Sequence, residues 1–160
     1  MKNKNLVKLF FVSMLFIMAC DFYVKEKEEI DSLLSEVVTL NKKSDIEKFK
    51  NYKSKLNELK ERFKDVDNAE LKEKISKLQN LFQDKLAVKL AALKEAKQAI
   101  QGISETDNTT AKTKIWSESK LVGVTIKFSG SNTSGNGKKM SEEAVEQIDK
   151  IIKFLEEGTN

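Results

Sequence analysis

Residues 44–63 read SDIEKFKNYKSKLNELKERF, and the fold turns on whether that stretch is helical. Ile46, Phe49, Tyr52, Leu56, Leu59 and Phe63 recur at spacings of 3, 3, 4, 3 and 4, which places them on one face of an α-helix and on no single face of a strand. The result is a coiled-coil-like seam about three heptads long. Ser44 and Glu47 stand three residues apart at its start, the spacing of a capping box.

The same grammar continues on both sides. KDVDNAELKEK at 64–74 offers Asp67 as a cap, Glu70 three residues on, and Val66 with Leu71 as a hydrophobic staple. A long alanine-rich helix follows, with Leu71, Ile75, Leu78, Phe82, Leu86, Leu90, Leu93 and Ile100 on its apolar side. Gly102 and the polar run ETDNTT end it. The short link at 65–68 predicts that these two helices pack antiparallel. Upstream, Ile30, Leu33, Leu34, Val37 and Val38 share one face of another helix between Val24 and Leu40, and NKKS interrupts it.

Residues 111–140 change character. Val122, Val124, Ile126 and Phe128 alternate with Gly123, Thr125 and Lys127, a period of two that predicts a short strand. TKIWSES just before it fits a hairpin partner or a short helix equally. SGSNTSGNGKK at 129–139 holds three of the six glycines and reads as a flexible loop. In the last segment Ser141 is placed to cap a helix through Glu157, with Met140 and Val145 as a staple and Gly158 as C-cap. Val145, Ile148, Ile151, Ile152 and Leu155 form its apolar stripe.

The expectation is a predominantly all-α protein, an elongated antiparallel hairpin or bundle of about four helices with a short strand or hairpin inserted near 112–128. A chain of 160 residues without proline has room for one such domain, here spanning 24–160.

The first 23 residues do not fit that domain. Lys2, Lys4 and Lys8 precede an almost wholly apolar run at 9–19, and Cys20 is the single cysteine. The run is shorter than the roughly 20 apolar residues of a spanning helix, which disfavours a free cysteine at the end of a membrane anchor. Ile17-Met18-Ala19-Cys20 resembles the lipobox of bacterial lipoproteins, with Met18 larger than the usual middle residue. Residues 1–19 then read as a cleaved signal peptide, and 20–23 as a tether carrying diacylglycerol on the sulfur and an acyl chain on the new amino terminus of Cys20. Removing 1–19 takes three lysines and no acid, leaving 26 basic against 25 acidic residues. With charges interleaved at formal +1, no nucleic-acid partner is expected.

Catalytic chemistry is sparse. There is no histidine, and the one cysteine is committed to lipid, which removes the commonest general base, the commonest zinc ligand and any thiolate site. No phosphate-cradling or nucleophile-elbow pattern occurs. Carboxylates lie beside lysines four residues away, as in Glu70 with Lys74 and Glu73 with Lys77, the pattern of solvated helix pairs. Neither an enzyme nor a cofactor beyond the lipid itself is expected.

Three features could carry recognition. Lys85, Lys89, Lys94 and Lys97 could form a patch for a glycosaminoglycan or an acidic partner, against the plainer reading of a solvated helix face. Trp116 could anchor a ligand beside the free edge of the strand at 121–128; a tryptophan beside alternating apolar residues more often closes a core. The seam at 46–63 could face a second chain, intramolecular packing being its simpler use.

EKEEIDSLL at 26–34, NAELKEKISKLQNLFQDKLAVKLAALK at 68–94, KIWSESKLVGVT at 114–125, GSNTSGNGKKMS at 130–141 and AVEQIDKIIKFLEEGTN at 144–160 together resemble the Rev (RevA-type) outer-surface lipoproteins of the Lyme disease spirochaetes. The resemblance runs from leader to C-terminus. It implies a lipid-anchored protein of the outer membrane, exposed at the cell surface, acting as an adhesin for host extracellular matrix with fibronectin as chief partner and laminin as another. The membrane would be met through the anchor alone. No family motif assigns binding residues, so only Cys20 carries over as a functional position. The alternative is a structural or immune-evasion surface lipoprotein that binds a host plasma or complement protein.

Overall fold

The computed structural model describes residues 24–104, 107–128 and 137–157. Among these residues the chain is all-α, with five helices and no strand. They are α1 (24–38), α2 (Ile46–Phe63), α3 (Ala69–Gln101), α4 (Asn108–Leu121) and α5 (Gly137–Glu157). Cys20, most of the glycine-rich run and the Gly158 cap lie outside the described residues.

The helices form where periodicity places them, but their caps differ from expectation. Asp45, not Ser44, caps α2, its carboxylate accepting the Glu47 N–H at 3.0 Å. Ser44 accepts the Asn41 N–H instead, holding the α1–α2 loop. Asn68, not Asp67, caps α3 by accepting the Leu71 N–H at 3.0 Å. Asp107 caps α4 in the same way through the Thr110 N–H, and hydrogen bonds from Thr110 hold its carboxyl below the usual carboxylate range. Asx side chains thus fill the N-caps of α2, α3 and α4, satisfying N–H groups that the helix itself cannot pair.

α3 is the spine. At 33 residues it runs about 50 Å at 1.5 Å per residue, and it lends its two halves to two different sets of neighbours. Near its start α1 lies parallel to it, tied by Lys27 to Glu70 and by Lys74 to Asp31 at 2.5 Å. α2 runs antiparallel to both; Arg62 grips Glu26 and Glu29, and at the other end Tyr52 donates to Glu36 at 3.0 Å. The second half of α3 packs against α4 and α5. Lys97 pairs with Asp149 and Lys94 with Glu156, so α5 too is antiparallel to the spine.

One core cluster threads both halves. Ile30, Val37, Phe49, Leu59, Leu93, Ile100, Ile115, Met140 and Ile148 are almost entirely buried within it. The α2 seam is used inside the molecule, with Phe49, Leu56, Leu59 and Phe63 buried and Ile46 and Tyr52 partly so.

Of three local points, one closes an open alternative and two correct an expectation. TKIWSES, which fits a hairpin partner or a short helix equally, is helical, inside α4. Residues 137–139 of the expected loop belong to the first turn of α5, which begins four residues before Ser141. Ser141 is therefore interior rather than a cap; buried, it donates its hydroxyl to the Ile100 carbonyl at the end of α3, an oxygen that also accepts the Ile103 N–H at 3.1 Å.

The third is the strand. Residues 122–128 keep the alternation, with Val122, Val124 and Ile126 buried and Gly123, Thr125 and Lys127 exposed, yet no second strand pairs with them among the described residues. A period of two reports which side chains face a core, not whether a ladder exists. Here the apolar side chains pack on helices.

Candidate functional site

The four lysines do not share an open face. Lys89 is fully buried, with Nζ donating to the carbonyls of Lys42 (2.9 Å), Ser44 (2.9 Å) and Val122 (2.5 Å). Three donors meet three acceptors, which is all an ammonium can do. It therefore bolts the α1–α2 loop, the spine and the turn after α4 into one joint and is withdrawn from any partner. Half-buried Lys85 donates to the Val38 carbonyl at 2.7 Å, neutralising an acceptor at the C-terminal end of α1. Lys94 is exposed and Lys97 half-buried, and each already holds an α5 carboxylate.

The joint around Lys89 is tight on its other side as well. Gly123 has φ +64°, and a Cβ there would lie 2.1 Å from the Lys43 carbonyl oxygen. Only glycine combines the left-handed backbone with so close an approach.

Trp116 does not close the core. It is 50 % exposed, while Ile115 beside it is completely buried. Ala111, Ile115 and Ser119 are the buried positions of α4, and one residue further turns a side chain by about 100° away from that face. The indole packs against Phe128, ring centroids 6.1 Å apart and tilted at 45°, so helix and extended segment together present an aromatic surface. Leu121, 46 % exposed, lies five residues beyond Trp116 on α4.

Gln147 of α5 stands where a neighbouring strand would be. Its Nε2 donates to the Lys127 carbonyl at 2.7 Å and its Oε1 accepts the Lys127 N–H at 3.1 Å. One side-chain amide thus satisfies both backbone groups of one residue. Replacing Gln147 by alanine should remove roughly 1 kcal/mol of local stability, and hydrogen exchange at the Lys127 amide should quicken about fivefold with global unfolding almost unchanged. Unchanged exchange there would mean that packing alone holds the segment.

The apolar stripe of α5 also hides a residue that periodicity passes over. Phe154 sits beside the buried Leu155 and is 45 % exposed; an aromatic off the stripe is the sequence signal that could have marked it. Among the described residues no cluster of three or more His, Cys, Asp or Glu could hold a metal, and no helix is long and apolar enough to cross a membrane.

A family model described as "Borrelia burgdorferi REV protein" matches residues 1–157. Among solved structures, the crystal structure of a Rev protein from Borrelia burgdorferi is similar at 65 % identity and a TM-score of 0.74, over 84 % of this chain and 97 % of that one. No curated protein matches.

Proposed function

Since the chain belongs to the Borrelia REV protein family, we propose that it is a non-catalytic, lipid-anchored adhesin, held at the outer face of the outer membrane through Cys20 and binding host fibronectin, with laminin as a second ligand. The observation that carries this reading is the reach of the family match, which begins at residue 1 and takes in the leader and Cys20 together with the helical body. In support, the body is a closed helical core, Lys94 and Lys97 are already engaged by carboxylates of α5, and the exposed aromatic residues among those described lie on α4 and α5.

Surface plasmon resonance with residues 21–160, which contain the whole packed core, tests the reading. Saturable binding to immobilised fibronectin is expected at micromolar protein, and a flat response would end the adhesin assignment. Because Lys94 and Lys97 are already paired and Lys89 is buried, alanine at Lys94 and Lys97 should weaken binding by less than about threefold, the scale of surface ion pairs. A steep loss of affinity between low and physiological salt would instead point to a lysine-borne contact, since exposed charges are screened beyond about 8 Å at 0.15 M.

A further inference from the structure

Where the start of α2, the middle of α3 and the end of α5 meet, the surface opens into a cavity of about 220 Å³. Its floor is Phe49, Phe82, Leu86 and Leu155, with the two phenylalanine rings 6.2 Å apart and tilted. Half-exposed Phe154 forms one wall. Lys50 and Lys53 are the charged residues of the lining, and no acid lines the cavity.

We propose that this cavity is a docking pocket for one bulky apolar side chain, leucine or phenylalanine, carried on an acidic segment of a partner protein.

Size selects this occupant over a free small molecule. Pockets for drug-sized ligands and cofactors run to about 300–1,000 Å³, and this one falls short. It suits a single anchor residue, the unit on which protein interfaces concentrate their energy. Charge selects the flanking residues. Lys53 has no acidic partner among the described residues, and Lys50 has only Glu47 of its own helix at 3.7 Å. The Lys50 ammonium also lies 5.9 Å from the Phe154 ring centroid, where the aromatic face attracts it, so cation and apolar wall are presented together. Carboxylates one or two positions either side of the anchor would reach these two lysines, and a basic segment would meet like charge. Ser54 and Asn57 on the same lining add polar groups at the rim. The proposal goes beyond the adhesin reading and does not depend on which protein carries the segment.

The test uses two blocked hexapeptides, Asp-Glu-Leu-Phe-Asp-Glu and Lys-Lys-Leu-Phe-Lys-Lys, titrated to millimolar concentration into nitrogen-15-labelled residues 21–160. The acidic peptide should give saturable amide shifts confined to the lining elements, within 49–57, 82–86 and 150–155. The basic peptide should bind at least tenfold more weakly. Phe154→Ala trims an exposed ring and Lys53→Glu changes a half-buried side chain that holds no ion pair among the described residues; both should leave the fold intact, as the unliganded spectrum will report, while weakening the acidic peptide at least fivefold. No saturable shift, equal binding of both peptides, shifts centred elsewhere, or variants that bind like the parent would each overturn the proposal. So would concentration-dependent shifts at the same amides without peptide, which would give the pocket to a second copy of the chain.

Discussion

Replacing Lys89 by methionine is expected to lower the stability of the folded protein by about 3 kcal/mol or more, with a fall in melting temperature on the order of 10 °C. Methionine keeps an unbranched stem in the core but donates nothing. The carbonyls of Lys42, Ser44 and Val122 would then lose their shared donor, and each buried acceptor left unpaired costs about 1–3 kcal/mol. Urea titration should show the midpoint falling with an unchanged slope, the mark of lost stability in a fold that is otherwise kept. A loss below about 1 kcal/mol would mean that water enters and takes over the three carbonyls.

The same residue gives the stability curve a handle on pH. Burial pulls Lys89 down from 10.5 to about 8, with the charge of Asp45 acting the other way, whereas an unfolded lysine holds its proton to about 10.4. Below pH 8 both states carry that proton and pH has no leverage through this group. Between the two values the unfolded chain binds more protons, so this linkage raises stability as pH climbs from 8 towards 10. The parent protein should therefore gain on the Lys89→Met variant across that interval. Parallel curves would show that the ammonium keeps its proton inside the joint.

Gly123→Ala should cost about 2–4 kcal/mol. The added Cβ would meet the Lys43 carbonyl oxygen at 2.1 Å from a backbone with φ +64°. Either the left-handed turn must be abandoned, breaking the Val124 N–H to Ser119 carbonyl bond of 3.0 Å, or the 41–44 loop must retreat and loosen its hold on Lys89. Gly102→Ala is the control, since φ there is −78° and a Cβ would find its nearest neighbour at an ordinary 3.5 Å. That variant should stay within about 1 kcal/mol of the parent. Because Gly123 and Lys89 secure one joint, the double variant should cost less than the two single losses combined.

Lys89 also shows where the sequence was legible and where it was not. Phe82, Leu86, Lys89, Leu93, Ala96 and Ile100 recur at spacings of 4, 3, 4, 3 and 4 and all are buried, so a lysine occupies a position of the apolar stripe. Spacing alone could have flagged it. Its partners could not be foreseen, because they are backbone carbonyls more than thirty residues away in the chain. Helices read well for the same reason: the seam of α2 and the stripe of α5 are local properties. Caps slipped by one residue where two polar neighbours competed, Ser44 with Asp45 and Asp67 with Asn68.

The segment at 122–128 was read correctly for facing and wrongly for pairing. Its alternation is fixed by contact with the core, but a ladder needs a second strand, and the sequence held no way to know that an amide on α5 would take that place. Of the proposed binding positions, burial removed Lys89, while Trp116 proved half-exposed. The groove beside Phe154 needed three helices in register before it existed at all.

The shared spine has a bearing on how the molecule comes apart. Since α3 supplies its first half to α1 and α2 and its second to α4 and α5, neither trio owns an interior that would survive without the other. A nick in the α3–α4 connection would cut the polymer yet leave both fragments clasped along one rod. Removing either trio would strip a flank of that rod bare, so the unit of inheritance, expression and melting is the whole body rather than its halves.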